Sequence, residues 1–135
     1  MLNIRLLSPA KLMTQGEFAS VLFPGSKGYL EIGENHAALL TELASGCVVL
    51  RTSEKEKKKF FISGGYAHIK DNKIIILGEI VEAQSEINFQ RAKKAEKRAA
   101  ERLQRTSDGS IDIKRALFAQ ERARHRMEVA KERLS

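Results

Sequence analysis

The last 49 residues of this 135-residue chain carry one helical pattern twice. Residues 87–92 match residues 111–116 at an offset of 24, and seven of the seventeen positions from 87 to 103 are identical to their partners. Each copy begins with a polar residue suited to capping a helix, Asn88 in the first and Asp112 in the second. Because apolar residues then recur at steps of three and four, each copy predicts an α-helix with one apolar side.

Alanine supplies most of that apolar side, which favours close but weak packing. Its members are Ala92, Ala95, Ala99 and Leu103 in the first copy, and Ala116, Ala119, Ala123, Met127, Ala130 and Leu134 in the second. The polar stretch at 106–110 contains Gly109 and predicts the turn of an antiparallel hairpin. Each buried methyl group contributes only about 0.8 kcal/mol, so the helices are favoured locally but paired weakly, and such a hairpin is able to open. Opened as one helix, 49 residues would span roughly 70 Å; a static hairpin is the alternative.

The first 86 residues carry a different pattern, in which apolar and polar side chains alternate over short stretches bounded by turn residues. Asp71 and Asn72 lie between two such stretches and predict a tight hairpin turn, whereas residues 35–43 fit a helical turn or a shaped loop. We therefore predict an α+β chain, with an antiparallel β-sandwich or flattened barrel over residues 1–86 and the α-helical hairpin over residues 87–135. The predicted strands are 3–6, 18–23, 29–32, 47–51, 60–63, 66–70 and 73–77.

The excess of basic residues lies wholly in the predicted hairpin. The chain has 24 Lys and Arg against 17 Asp and Glu, a net charge of +7, and residues 1–86 balance at ten of each sign. The charged run at 54–59 fits a solvated tip between two strands. Any electrostatic partner of this protein is therefore expected at residues 87–135.

Few residues have the types and spacing that catalysis or metal binding requires. The single cysteine, Cys47, excludes an internal disulfide and a multi-cysteine metal site, and its apolar neighbours favour a buried structural thiol. No histidine pair has zinc spacing, and the glycines match neither a P-loop nor a dinucleotide fingerprint. The N-terminus lacks the basic start and apolar stretch of a signal peptide. These residues do not exclude an enzyme, but none of them argues for one; we expect no catalytic residue, no metal site and no required cofactor, in a protein of a reducing compartment.

Several motifs stand in an order that is typical of one family. Residues 23–28 read Phe-Pro-Gly-Ser-Lys-Gly, residues 36–41 read His-Ala-Ala-Leu-Leu-Thr, and Gly64-Gly65 precede an alternating strand. Residues 111–116 read Ile-Asp-Ile-Lys-Arg-Ala. This combination resembles the epsilon subunit of F-type ATP synthases, whose nucleotide-binding members share the last motif. The resemblance covers essentially the whole chain.

The resemblance implies a non-catalytic subunit of the central stalk. The β-sandwich would bind the gamma subunit and stand on the membrane ring of c subunits. The hairpin would extend along gamma and inhibit ATP hydrolysis by contact with the alpha and beta subunits, where an acidic segment of beta receives it. The implied location is peripheral, on the cytoplasmic face of the cell inner membrane or the equivalent thylakoid surface. Tyr29 stands where many members carry an acidic residue, and the candidate subunit-interface residues are Tyr29, Glu31 and His36.

Arginines at matched positions in both predicted helices indicate a nucleotide site. The two rows are Arg91, Arg98 and Arg102 in the first copy, and Arg115, Arg122 and Arg126 in the second, both stepping by seven and four along one helical face. In a folded hairpin the rows are able to converge on a polyphosphate, which guanidinium groups bind well. Asp112 would cap its helix or accept hydrogen bonds from adenine or an arginine. With the motif residues, the candidate nucleotide-binding residues are Asp112, Arg115, Ala116, Arg91, Arg98, Arg122 and Arg126. Bound as a regulatory ligand, ATP would then favour the folded hairpin.

Three other interpretations of these arginines stay open at the level of sequence. They form a solvated helical face, which is the commonest explanation of such charge. Alternatively, an extended basic helix pairs with an acidic surface of the catalytic subunits, and that pairing weakens with salt. The third is a basic nucleic-acid-binding module. Because the chain has no recognition motif and each helix has one aromatic residue, Phe89 or Phe118, we do not expect a nucleic-acid partner.

Overall fold

The computed structural model describes residues 1–53, 56–104 and 112–134, with the side chains of the last helix described as far as Lys131. The chain divides into two compact units, Met1–Gln84 and Ser85–Ser135. Within the described residues, the first unit contains eight β-strands and the second contains two α-helices. The predicted fold class, a β-sandwich followed by a helical hairpin, is confirmed.

The strands of the first unit belong to one continuous hydrogen-bonded sheet in the order β2-β1-β8-β7-β6-β3-β4, with β5 paired to β7. All neighbours are antiparallel except β1 and β8, which run parallel. Their bounds are β1 Leu2–Leu7, β2 Leu12–Phe18, β3 Ser20–Gly25, β4 Gly28–Ile32, β5 Leu39–Glu42, β6 Gly46–Arg51, β7 Lys57–Lys70 and β8 Lys73–Ala83.

The longest strand, β7, pairs with β8 along one side and with two different strands along the other. It pairs first with β6 over residues 57–62 and then with β5 over residues 66–69. Between these stretches Gly64 and Gly65 have φ angles of +71° and +115°, which L side chains rarely adopt. The core residues of β7 are Phe60 and Ile62 before the glycines, and Ala67 and Ile69 after them. The strand therefore changes which of its faces enters the core at the two glycines.

Alternation places one side of each strand in an apolar core. In β1, the buried residues Leu2, Ile4 and Leu6 alternate with exposed ones, as period two requires. Among the described residues, no polar or charged residue is fully buried. The predicted hairpin turn is confirmed, because Asp71 and Asn72 have φ angles of 50° and 60° and join the paired residues Lys70 and Lys73.

The sequence prediction is wrong at two strand boundaries near the start of the chain. The single strand predicted over residues 18–23 is split, since β2 ends at Phe18 and β3 begins at Ser20. The strand β2 was not predicted, because its side chains are mostly half-buried or exposed and the apolar alternation is weak. Pro24 lies inside β3 rather than ending it. This is tolerated because β6 pairs with β3 only as far as Leu22, so the sheet needs no backbone N–H donor at the proline.

Two further differences lie around β5, β7 and β8. The helical turn considered for residues 35–43 is absent, and the strand β5 occupies the end of that stretch. The predicted strands 60–63 and 66–70 are one strand, β7, and the strand predicted over residues 73–77 continues to Ala83 as β8. The two predicted stretches of β7 form one strand because the glycines between them bend the strand without ending it. Glu54 and Lys55 of the predicted charged tip lie outside the described residues.

The second unit starts at Ser85, within a 3-10 turn, Gln84–Glu86, that joins it to the first. Its helices are α1, Phe89–Gln104, and α2, Ile113–Leu134, and they pack against each other. The predicted turn at 106–110, Ile111 and the side chain of Leu134 lie outside the described residues.

Candidate functional site

Both helices of the second unit begin at the predicted caps. The backbone N–H of Arg91 donates to Asn88 Oδ1 at 3.0 Å, and the N–H of Arg115 donates to Asp112 Oδ1 at 3.1 Å. Each cap thereby satisfies an otherwise orphaned amide of the first helical turn. Because the caps stand one repeat apart, equivalent residues of the two copies occupy equivalent positions along their helices.

The contact between α1 and α2 is an alanine seam, as predicted. Its buried members are Ala92 and Ala99 of α1, and Ala116, Ala123 and Ala130 of α2. Small side chains allow two helix backbones to approach closely, but they remove little apolar surface from water. Polar groups on the two flanks of the seam therefore have a large share in deciding how firmly the helices stay paired.

An arginine groove runs along one flank of the alanine seam. It has a volume of about 250 Å³ and is lined by Ala95, Arg98, Ala99, Arg102, Ala119, Arg122, Ala123 and Arg126. These residues form four repeat pairs, each separated by 24 positions, so the two copies of Ala-x-x-Arg-Ala-x-x-Arg contribute equally. Four guanidinium groups around a floor of alanine methyl groups make a basic recess suited to an anion with several charged oxygens.

The structure brings together only part of the predicted nucleotide-binding set. Arg98, Arg122 and Arg126 line the groove. Arg102 lines it too, although the sequence prediction places it only in the first arginine row and not in the nucleotide site. The other four members have different positions. Arg91 and Arg115 are exposed in the first turns of their helices, Asp112 is the cap of α2, and Ala116 is buried in the seam.

The opposite flank of the seam carries polar contacts that sequence reasoning missed. The amide of Gln120 donates to Glu96 Oε1 at 3.1 Å, and Arg124 Nε lies 3.4 Å from the same oxygen. Both contacts cross from α2 to α1. Glu96 and Gln120 are themselves repeat partners, which was the available signal.

The outer surface of α2 near its start is apolar and exposed. Ile113, Leu117 and Phe118 are each about half exposed, and Lys114 Nζ lies 5.9 Å from the centre of the Phe118 ring. Exposed large apolar side chains grouped with basic ones are typical of a protein-binding surface rather than of a purely solvated helix.

Two of the predicted interface residues of the first unit share one face of β4. Tyr29 and Glu31 are two residues apart and both exposed. The Tyr29 hydroxyl accepts a hydrogen bond from the backbone N–H of Cys47 at 3.0 Å, and Glu31 Oε1 lies 3.5 Å from Arg51 Nη1. Cys47 is half-buried in β6 rather than fully buried as predicted. The β4 surface is therefore linked to β6, across the intervening strand β3, by a tyrosine and by an exposed ion pair.

The third predicted interface residue, His36, lies in the loop between β4 and β5. Its Nδ1 atom is 2.7 Å from the carbonyl oxygen of Ala37. The loop is fixed by Asn35, whose backbone N–H donates to Asn72 Oδ1 at 2.6 Å. A cavity of about 480 Å³ opens there, lined by Asn35, His36, Ala37, Ala38, Lys70, Asp71 and Asn72. His36 thus belongs to a polar recess at one end of the sheet.

An apolar outer face on the solvent side of the sheet is a second feature that sequence reasoning missed. In one row Leu12 is opposite Leu7, Leu7 is opposite Leu77 and Leu77 is opposite Tyr66, so four adjacent strands contribute. In the next row His68 separates Ile75 from Leu40. The first row spans roughly 14 Å at the usual strand spacing. The most exposed members are Leu12, Leu40, Tyr66, Ile75 and Leu77, at 42% to 69% exposure.

A solvated face of an antiparallel sheet is normally polar, so this surface is typical of a docking site. The available signal was the run Ile74-Ile75-Ile76-Leu77, which does not alternate although only Ile74 and Ile76 are needed for the core.

Residues 1–53, 56–104 and 112–134 contain no group of three or more His, Cys, Asp or Glu side chains placed to hold a metal ion. In the same part of the chain, neither helix is long and apolar enough to cross a membrane.

Two protein-family models together match residues 1–131 of the 135-residue chain. The first, described as ATP synthase, Delta/Epsilon chain, beta-sandwich domain, matches residues 1–84. The second, ATP synthase, Delta/Epsilon chain, long alpha-helix domain, matches residues 85–131. The chain is similar to the ATP synthase epsilon chain of Moorella thermoacetica, at 36% identity over 129 residues and 96% of both chains. It is similar to that of Clostridium novyi at 37% identity over 127 residues, covering 94% of this chain and 95% of the relative.

Solved structures share the fold at lower identity. A chain in the Euglena gracilis mitochondrial ATP synthase, in a structure of OSCP, F1 and c-ring, superposes with a TM-score of 0.82 at 21% identity, covering 99% of this chain and 81% of that one. A chain in the central stalk and c-ring of the Tetrahymena thermophila mitochondrial enzyme gives a TM-score of 0.60 at 15% identity, covering 99% and 96%.

Proposed function

This chain belongs to the delta/epsilon chain family of the ATP synthases, and from that membership we propose that it is the epsilon subunit of an F-type enzyme, a non-catalytic component of the central stalk. The observation that carries the proposal is the match of both family domains, in order, over residues 1–84 and 85–131. The subunit couples the catalytic head to the c-ring and regulates hydrolysis; it carries out no chemistry of its own.

The first unit binds the gamma subunit through its apolar outer face. The support is physical: Leu77, Tyr66 and their neighbours expose large side chains in two adjacent rows, which a stable partner would remove from water. At about 25 cal/mol per Å², even partial burial of five such side chains is worth several kcal/mol.

The c-ring contact lies on the β4 surface and the loop that follows it. Tyr29 and Glu31 present a phenol and a carboxylate from one face of β4, and His36 lines the recess at the end of the sheet. Polar groups on a fixed loop suit a contact with the polar loops of a membrane ring. The subunit is thereby held at the cytoplasmic face of the cell inner membrane, or its thylakoid equivalent, through its partners.

The second unit inhibits ATP hydrolysis when its hairpin opens. The alanine seam makes pairing of α1 and α2 weak, while each helix is favoured by its own composition and cap. An opened α2 presents Leu117 and Phe118 among basic residues, a surface complementary to an apolar recess edged by acidic groups on the alpha and beta subunits.

ATP acts as a regulatory ligand of the folded hairpin by binding the arginine groove. The groove needs residues from both helices, since Arg98 and Arg102 come from α1 and Arg122 and Arg126 from α2. An anion bound between them therefore binds the folded state more tightly than the open state. This difference in affinity shifts the equilibrium towards the folded hairpin. Asp112 contributes by capping α2.

Co-purification tests the central proposal. Tagged protein recovered from cells is expected to bring gamma, alpha, beta and c subunits with it, and Leu77→Glu is expected to lower recovery of gamma because it places a charge in the apolar outer face. Ser53→Glu is the matched control, since it adds the same charge on an exposed residue in the turn after β6. Recovery of none of these subunits with the unaltered protein would refute the assignment.

A further inference from the structure

The sequence repeat is kept on one flank of the alanine seam and not on the other. On the groove flank the repeat is kept, with Arg98 matching Arg122 and Arg102 matching Arg126. On the other flank it is not kept at the positions that make the contacts with Glu96, where Glu96 matches Gln120 and Ala100 matches Arg124. These changes coincide with the contacts between the helices, since Gln120 and Arg124 both meet Glu96.

Physical chemistry gives a reason for each departure from the repeat. Two glutamates at positions 96 and 120 would bring like charges together, whereas an amide at Gln120 donates a hydrogen bond to the carboxylate at 3.1 Å. An alanine at position 124 would offer no charge, whereas Arg124 places its Nε 3.4 Å from Glu96 Oε1. One carboxylate of α1 thus receives two donors of α2.

The groove flank has the opposite effect on pairing. Four guanidinium groups from two helices line one recess, and like charges in proximity favour separation of the helices when no anion is bound. The Glu96 side chain is 24% exposed and that of Arg124 is 60% exposed, so solvent screens the ion pair in large part from the Arg124 side and reaches the carboxylate less. Repulsion on one flank is therefore opposed by attraction on the other.

We propose that Glu96, with Gln120 and Arg124, forms a clamp that holds the hairpin closed when the arginine groove is empty. This rests on the proposed function in one respect, namely that the hairpin opens. The clamp sets the fraction of open molecules before any ligand binds, and a ligand of the groove adds to it from the other flank. Glu96 is a positioning residue, because it touches neither groove nor ligand.

Interhelical distances test the clamp in the full-length isolated protein. With Cys47→Ser removing the single native thiol, spin labels at Lys93→Cys and Glu128→Cys report closed and open forms. A separation of 35 positions would place the labels roughly 50 Å apart in a continuous helix. Glu96→Gln keeps the shape and removes the charge, and it is expected to raise the open-to-closed ratio about two- to fivefold. Glu101→Gln, an equal loss of charge on an exposed residue of α1, is the matched control and is expected to leave the ratio unchanged.

A second measurement, thiol alkylation, detects an open population that is too small to be seen by distances between spin labels. A thiol placed at buried Ala123 is alkylated only after the helices separate, so its rate should rise by the same factor in Glu96→Gln. The effect should be smaller when Arg124→Gln is already present, since the charged partner is then gone. Equal distances and equal alkylation rates in Glu96→Gln and Glu101→Gln would overturn the clamp.

Hydrolysis by the assembled enzyme separates the clamp from the proposed function. If the hairpin inhibits when open, Glu96→Gln lowers hydrolysis relative to Glu101→Gln. A changed open-to-closed ratio with unchanged hydrolysis would support the clamp and count against inhibition. An unchanged ratio would overturn the clamp and leave the epsilon assignment to the co-purification result.

Discussion

At the scale of single residues, the bend of β7 depends on Gly65. Its φ is +115°, and an added Cβ would overlap the carbonyl oxygen of Leu77 on the neighbouring strand. Backbone atoms of a paired strand cannot move aside without breaking the ladder. The glycine is therefore needed both for the backbone angle and for the approach of β8.

Gly65→Ala is expected to destabilise the first unit by about 2–4 kcal/mol, through an unfavourable φ and a backbone clash. Urea unfolding followed by tyrosine fluorescence measures this unit selectively, since the chain has no Trp and its two tyrosines, Tyr29 and Tyr66, both belong to it. Gly33→Ala is the control, because nothing lies within 4 Å of its added Cβ, and it should change stability by less than about 0.5 kcal/mol. Equal midpoints for the two variants would contradict the steric argument.

At the scale of elements, α1 and α2 divide their polar residues between two flanks of one seam. The arginines on one flank line the groove that we propose holds an anion, and Glu96 on the other receives two contacts from α2. Arg91 and Arg115 share the helical face of the groove arginines but lie in the first turn of each helix, outside the lining of the groove. The nucleotide hypothesis is therefore testable by comparing two arginines of the same helix, one inside the groove and one outside it.

Arg122→Gln is expected to weaken ATP binding about tenfold, because it removes one charge-assisted contact in the groove. Arg115→Gln on the same helix removes the same charge outside the groove and is expected to have less than a twofold effect, mostly through long-range attraction. Amide chemical shifts of α1 and α2 followed during an ATP titration give both affinities. Absence of shifts in the unaltered protein at millimolar ATP would reject nucleotide binding altogether.

At the scale of the whole molecule, charge and stability are distributed between two units. Residues 1–86 have balanced charge and a continuous apolar core, while residues 87–135 carry the net +7 and a seam of alanines. The core of the first unit fixes one shape, whereas the alanine seam of the second buries little apolar surface between its helices. This difference suits the proposed regulatory role, in which the hairpin opens and the β-sandwich stays attached.

Removing residues 87–135 is expected to raise ATP hydrolysis by the assembled enzyme, because the basic helices that would contact the catalytic subunits are gone. In the unaltered enzyme, added salt should relieve inhibition in the same direction, since screening weakens contacts made by a net charge of +7. Co-purification of the shortened protein with gamma is the control for assembly. Unchanged hydrolysis at every nucleotide concentration would show that the hairpin is not inhibitory.

The sequence alone determined the features that depend on neighbours along the chain. Steps of three and four residues, helix-favouring composition and the caps at Asn88 and Asp112 predicted both helices, because hydrogen bonds and side-chain contacts within a helix join residues a few positions apart. Asp71 and Asn72 predicted a hairpin turn for the same reason. Matched spacing also predicted that arginines of the two copies would converge.

Only the tertiary structure decided which residues meet across elements. Membership of the groove, with Arg102 included and Arg115 excluded, depends on how the two helices pack against each other along their lengths. The apolar outer face depends on the register that places Leu12, Leu77 and Tyr66 in one row. Rotation and register are set by packing between segments distant in sequence, and a one-residue shift exchanges the buried and exposed faces of a strand. Local pattern fixes the elements, and packing between them determines the surfaces available for binding.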